Sequence, residues 1–414
     1  MFGWGKRKQR WKVLGRKMAL AGFLRHYGDD VSENECERRV KISFSATNPC
    51  HMYPLAREVG RQGALGCYYS GYPAWKLRDA SDMPLRIHSL RTNIVYALLK
   101  HAPEKLRPSA RRLYLWQDHG FDRWTGRHLE PCDVVHGIPG QCLHTFRAAK
   151  RAGIRTALNH ATGPVRDWVR VMEPEYARVG LRLTDHCPYD DAYFAWADEE
   201  YALSDWHCAA STVVRDQLIA RGIEARRILL APYGADPGIF FSDDSPPPPD
   251  FRIVFAGQIC LRKGVRALLD ALTLAGRKEW SVDFYGGMQS ECSRDFAGYR
   301  GATPLRFHGA VSQAALGAGL RSGSVLVLPS LEEGFGLVVP QALNCGLPAI
   351  VSDRVGGKDL VRHRENGSIV PVADSEALAA ELEWWSQNPR RLHERHGWEE
   401  PARILIDATK PLLS

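Results

Sequence analysis

Short apolar runs closed by glycine or proline recur along this 414-residue chain, alternating with stretches whose apolar residues fall at helical spacing. Residues 325–328, VLVL, form an unbroken run of the kind a strand shows when both its faces are covered, and Pro329 and Ser330 close it. Residues 337–345 then have helical length and composition, with Gly346 and Pro348 as stop signals. Pro340 has no amide to donate, so it belongs in the first turn, and the helix is predicted to begin near Leu337. A second unit repeats the order. Residues 251–256 read as a buried strand, GQICLRKG as a loop, and residues 265–274 as a helix with Val265, Leu268, Leu269 and Leu272 on one face. The first half follows the same grammar, with strands predicted over 39–44, 64–69, 132–138 and 155–159 and helices over 52–62 and 141–152. Such repetition predicts an α/β chain with open parallel sheets, whose ligands bind beyond the strand C-termini.

Two of the turns carry chemistry. In LEEGFGL the amides of Gly336 to Val339 are expected to converge at the positive end of a helix, where an anion such as a diphosphate is favoured. Glu333 beside it would repel phosphate, so it reads as an acceptor for sugar hydroxyls; an acid at this position also complements a helix N-terminus without touching any ligand. In the loop after residues 251–256, Lys263 offers a point charge to a phosphate, while Arg262 either joins it bidentately or faces water.

FAGQICLRKGVRALLDAL, FHGAVS at 307–312, VLVLPSLEEGFGLVVPQALNCGLPAIVSDRVGGKDLV and NGSIVPVADSEALAAEL at 366–382, in this order and spacing, resemble the donor-binding domain of glycosyltransferase family 4. The resemblance covers residues 195–390. It implies a GT-B fold, in which two Rossmann-like domains with parallel sheets face an interdomain cleft. It also implies a retaining enzyme that moves a sugar from a nucleotide-diphosphate donor to a glycan, lipid-linked or small-molecule acceptor hydroxyl. On this resemblance Glu333 would bind the transferred sugar, and the backbone of Gly334, Phe335, Gly336 and Leu337 would line the sugar and distal phosphate. Lys263 would neutralise the diphosphate, with Gly257 opening its loop, and His160 would reach across the cleft towards the donor sugar; His136 matches a less clearly directed position. Two positions depart from the pattern. The second glutamate of the motif, eight residues after the first, is Gln341, which keeps an acceptor for ribose hydroxyls, and the arginine expected after Gly257 is Gln258, with Arg262 as the compensating cation. The glycine pair usual after the first strand is replaced by ATNPCHMYPL. No cofactor or metal is implied, because the cations face the leaving group and no Asp-x-Asp pair is placed for a metal.

Charge divides the chain unevenly. Residues 250–414 hold 19 basic and 19 acidic residues, so the remaining 36 of 55 basic and 28 of 47 acidic residues place the whole net charge of +8 in the first 249. Residues 1–31 form a basic leader in which Trp11, Leu14, Met18, Ala21 and Leu24 recur at helical spacing. It reads as an amphipathic helix for an anionic membrane surface, as a tail, or as a helix docked on its own domain. Nucleic acid is not expected, since no aromatic platform accompanies the charge. The expected organisation is the leader, an acceptor-side domain over 32–235, a hinge and proline-rich linker over 236–250, the donor domain over 251–389, and a helical tail over 390–414 that returns to the first domain. Ten scattered cysteines without a CxxC pair fit a reducing cytoplasm, with the inner membrane face as a peripheral site. Two other readings share the scaffold: a sugar-nucleotide-binding protein without turnover, and a membrane-surface module.

Overall fold

The apolar runs become two wholly parallel sheets in the computed structural model, which describes residues 39–412 apart from Pro49, 78–81, 104–108, 186–188 and Asp244. The basic leader, and with it the expected membrane-surface helix, therefore lies outside the described residues. The first sheet contains β1 (Ile42–Ala46), β2 (Leu65–Ser70), β3 (Leu85–Ile87), β4 (Val134–Gly137), β5 (Arg155–His160), β6 (Trp206–Ala209) and β7 (Ile228–Leu230), in the order β3-β2-β1-β4-β5-β6-β7. The second contains β8 (Arg252–Ala256), β9 (Ser281–Tyr285), β10 (Leu305–Gly309), β11 (Val325–Leu328), β12 (Ala349–Ser352) and β13 (Gly367–Val370), in the order β10-β9-β8-β11-β12-β13. In each sheet the order reverses beside the first strand, which places a crevice at the strand C-termini there.

Parallel strands need crossovers, and helices supply them. In the first lobe these are α1 (Met52–Arg61), α2 (Leu90–His101), α3 (Ala110–Arg127), α4 (Leu143–Arg151), α5 (Val165–Arg178), α6 (Asp191–Leu203) and α7 (Thr212–Ala220). In the second they are α8 (Val265–Ala275), α9 (Ser293–Gly298), α10 (Gln313–Arg321), α11 (Val338–Asn344) and α12 (Ser375–Gln387), and α13 (Glu399–Thr409) closes the chain. The run VLVL is buried at every position, as two-sided coverage requires.

The lobes exchange side chains. Met172 and Tyr176 of α5 join the second-lobe core with Phe255, Leu261 and Val265, and the Tyr176 hydroxyl donates to Glu291 Oε2 at 2.7 Å. In the other direction Phe335, 1% exposed, belongs to the first-lobe core with Phe44, Met52 and Tyr233. Burying one such aromatic ring contributes about 1.5–3 kcal/mol.

Two boundaries differ from the sequence expectation. Residues 236–250 are not a free spacer from their start, because Phe240 is buried in the second-lobe core with Leu320, Leu326 and Cys345. The tail is not helical from Arg390: residues 390–398 run irregularly, since the Leu392 amide donates to Gly346 O at 3.0 Å, the His396 carbonyl accepts from Ala235 N at 2.8 Å, and Asn344 brackets His396. The α-helix spans Glu399–Thr409, followed by a 3-10 turn over Lys410–Leu412, and its Ala402 and Leu405 pack in the first-lobe core. The two crossovers thus lie side by side, so close that a Cβ on Gly234 would stand 2.0 Å from Gly397 O.

Candidate functional site

The turns after β8 and β11 meet at a buried cluster of charges. Lys263 and Glu333, each 8% exposed, form an ion pair between Nζ and Oε2. Arg262 Nη1 donates at 3.0 Å to Glu333 Oε2 and at 3.0 Å to the Glu332 carbonyl, and lies 3.6 Å from Glu332 Oε2. Burial works to raise the Glu333 carboxyl, but Lys263 and then Arg262 overcome it and hold Glu333 below the usual carboxylate range. Glu332 has weaker compensation. Burial pushes it up to about 7 against the pull of Arg262, and the Glu333 charge adds to the rise.

Local backbone forces this meeting. Gly264 sits at φ 67°, and a Cβ there would stand 1.9 Å from Pro329 O, so the Lys263 turn presses directly on the end of β11. Leu331 N donates to Arg262 O at 2.8 Å, joining the two turns. Gly264→Ala combines left-handed strain with a backbone collision, and we expect a loss of about 1–3 kcal/mol or more, readable as a lower midpoint in urea unfolding.

Each residue singled out from the sequence has a definite place. Gly257, at φ 130°, lies beside the Lys263 ammonium: a Cβ there would be 3.8 Å from Nζ. Gly336 holds φ 82°. Gly334 abuts the first lobe, where a Cβ would stand 2.3 Å from Ala161 O, and its carbonyl accepts from Ser211 Oγ at 2.6 Å. Leu337 caps α11, and Pro340 lies in its first turn as expected. The expected row of free amides is shorter than the sequence implied, because Val339 N donates to Gly336 O at 2.8 Å and α11 spans only seven residues. Gln258 is exposed. Gln341 Nε2 lies 3.4 Å from Gln313 Oε1 on α10.

The histidines turn inward. His160, 1% exposed at the end of β5, pairs through Nε2 with His207 Nδ1 at 3.0 Å and through Nδ1 with the Tyr201 hydroxyl at 3.4 Å, so its ring does not reach into the second lobe. Burial, reinforced by His207 and Arg221, keeps it neutral. The strip that follows it, Ala161–Thr162, is what touches Gly334. His136 stacks on Phe44 and pairs with Asn159 Nδ2 at 2.7 Å, a structural placement. Sequence reasoning missed Glu332, although the doubled acid ahead of a glycine was its visible signal. Among the described residues, no group of three or more metal-ligating side chains is gathered, and no helix is long and apolar enough to cross a membrane.

The crystal structure of Anabaena HepE in complex with UDP-glucose is similar to this chain with a TM-score of 0.55 at 13% identity, over 91% of this chain and 98% of that one. The fold is GT-B. Residues 250–388 match the family model described as glycosyl transferases group 1. A D-inositol 3-phosphate glycosyltransferase of Streptomyces bingchenggensis is 30% identical over 46% of this chain and 52% of its own length. A phosphatidyl-myo-inositol mannosyltransferase of Mycobacterium leprae is 36% identical over 29% and 33%. The chain thus spans about half or less of the length of these curated relatives.

Proposed function

We propose that this GT-B chain is a retaining glycosyltransferase that moves a hexose from a nucleoside diphosphate to an acceptor hydroxyl. The observation that carries the reading is the buried Lys263–Glu333 pair, with Arg262 beside it, at the mouths of β8 and β11. An ion pair that only stabilised the fold would gain little from such burial, since desolvation offsets most of the Coulombic gain. A site that must receive a diphosphate needs those charges in place before the ligand arrives. With donor bound, Lys263 and Arg262 turn to the phosphates, and Glu333 is released to accept hydrogen bonds from sugar hydroxyls.

The reaction balances without an added base. The bond between the anomeric carbon and the diphosphate oxygen breaks, the acceptor oxygen bonds to the same face of that carbon, and its proton passes to the departing diphosphate. Charge developing on the leaving group is met by Lys263 and Arg262, so no metal is required in this scheme. His160 stays neutral and serves as a wall of the acceptor side. Gln341 and the backbone from Gly334 to Leu337 complete the donor contacts, with Gly257 leaving space beside Lys263. A UDP-sugar is the first donor to test, given the ligand of the similar HepE structure.

A thermal-shift screen against UDP-, GDP- and ADP-sugars, followed by product detection, decides the matter. Stabilisation with transfer or slow donor hydrolysis is the expected result. Stabilisation with neither would make the chain a sugar-nucleotide-binding protein, and no stabilisation by any donor would remove the reading.

A further inference from the structure

The two acids before Gly334 share one guanidinium. Arg262 Nη1 donates at 3.0 Å to Glu333 Oε2 and at 3.0 Å to the Glu332 carbonyl, and stands 3.6 Å from Glu332 Oε2. Among the described residues, Arg262 is the one ion-pair partner of Glu332. Resting on the transferase reading above, we infer that Glu332 is a positioning residue whose carboxylate competes with the donor diphosphate for Arg262 and thereby sets how tightly the donor is held.

The two acids differ in what they gain when the cations turn to the diphosphate. Glu333 exchanges Lys263 and Arg262 for sugar hydroxyls. Glu332 has no such exchange. Only 5% exposed, it lines a separate cavity of about 320 Å³ between α5, α7 and residues 353–358, whose wall includes neither Lys263 nor Glu333. The other charges on that wall are Asp167 and Arg170 of α5, paired at 2.9 Å, Asp216 of α7, paired with Arg215 at 2.8 Å, and the trio Asp353, Arg354 and Lys358. The Lys358 ammonium donates to the Asp353 carbonyl at 2.7 Å. Three acids against three bases supply no net charge to replace Arg262. A buried carboxylate that loses its cation is strongly disfavoured, so Glu332 must either take up a proton or recover Arg262.

The proton is within reach at neutral pH. Burial holds the Glu332 carboxyl up at about 7, with the Arg262 charge opposing the rise and the Glu333 charge adding to it. Departure of Arg262 removes the opposing pull, so the donor complex binds this proton more tightly than the empty chain does. Linkage is reciprocal: a donor that favours the protonated acid is itself favoured by it. Donor affinity therefore falls as pH rises through about 7. Ionised Glu332 also draws Arg262 back, which favours release of the nucleoside diphosphate product.

Calorimetric titration of the full chain with UDP-glucose, GDP-mannose and ADP-glucose at pH 6 and pH 8 tests this, since a diphosphate esterified at both ends keeps its charge across the interval. The nucleotide sugar that binds is expected to do so about three- to tenfold more weakly at pH 8, the upper limit being set by one linked proton with an empty-chain value of about 7. Glu332→Gln, which resembles the protonated acid, should bind at both pH values as tightly as wild type does at pH 6. Arg262→Gln should bind less tightly and without the pH dependence, because the acid acts through this guanidinium. A flat wild-type profile, or a folded Glu332→Gln or Arg262→Gln chain that keeps the wild-type slope, would overturn the inference and leave the transferase reading standing. Binding of none of the three nucleotide sugars would overturn both.

Discussion

Lys263→Ala is expected to lower kcat/KM for the true donor by about 10²–10³-fold, and Glu333→Gln by a comparable factor, because each removes a charge that meets the donor in the transition state. The two losses should differ in kind. Lys263→Ala removes the charge that faces the diphosphate, so the thermal stabilisation given by the nucleoside diphosphate alone should fall with it. Glu333→Gln keeps that stabilisation and loses turnover, since its partner is the sugar. Stability limits what the first variant can mean, and the geometry helps here. Arg262 donates to Glu333 Oε2 at 3.0 Å, so truncating Lys263 leaves the acid a neighbouring cation. A folded Lys263→Ala protein that turns over its donor at the wild-type rate would refute the assignment.

A large effect on stability, with a pH dependence of its own, is expected at Glu200. This side chain, 0% exposed on α6, accepts from Gly140 N at 2.5 Å, Cys142 N at 2.8 Å and Trp196 Nε1 at 3.0 Å, and so holds the loop after β4. Asp122 on α3 grips the same segment from its other end, accepting from His144 N at 2.7 Å and Thr145 N at 2.8 Å. Glu200→Gln turns an amide donor towards these donors and should cost about 1–3 kcal/mol. Its pH dependence has a definite sign. Burial raises the Glu200 carboxyl from 4.5 to about 7 against the pull of the Gly140 and Cys142 amides, so the folded chain binds this proton more tightly than the unfolded chain. That contribution is fully present below pH 4.5 and is lost as pH rises through about 7. The gap between wild type and Glu200→Gln in urea unfolding should therefore be larger at pH 5 than at pH 8. A gap that widens with pH would contradict the burial assigned to this acid.

Much of the fold could be read from the sequence because its signals are local. Strand runs such as VLVL, the stop at Gly346 and the position of Pro340 each depend on a few neighbouring residues, and β11 and α11 lie where those signals put them. Lys263 and Glu333 were legible for the same reason, since each follows a buried strand across a glycine-bearing turn. What depended on distant partners was not. Glu200 and Asp122 look like solvated helix acids, and only the fold reveals the amides they serve. Phe335 reads as part of a ligand loop, yet its ring is spent in the first-lobe core, edge-on to Tyr233 at 5.3 Å between centroids. The inward turn of His160 follows from His207, 47 residues away, which no local pattern announces. Residues 390–398 have helical composition but find better partners in Gly346, Ala235 and Asn344 than in one another.

The return of the chain to its starting lobe has a practical consequence. Because Ala402 and Leu405 complete the core laid down by β1 and α1, the second lobe is an insertion spliced between β7 and α13, with both splice points touching at Gly234 and Gly397. It can be exchanged as a cassette. Under the proposed function, grafting a relative's second lobe between these two glycines would transplant nucleotide preference and leave acceptor choice to the host, whereas cutting the protein once, in the proline run, would strip the first lobe of α13.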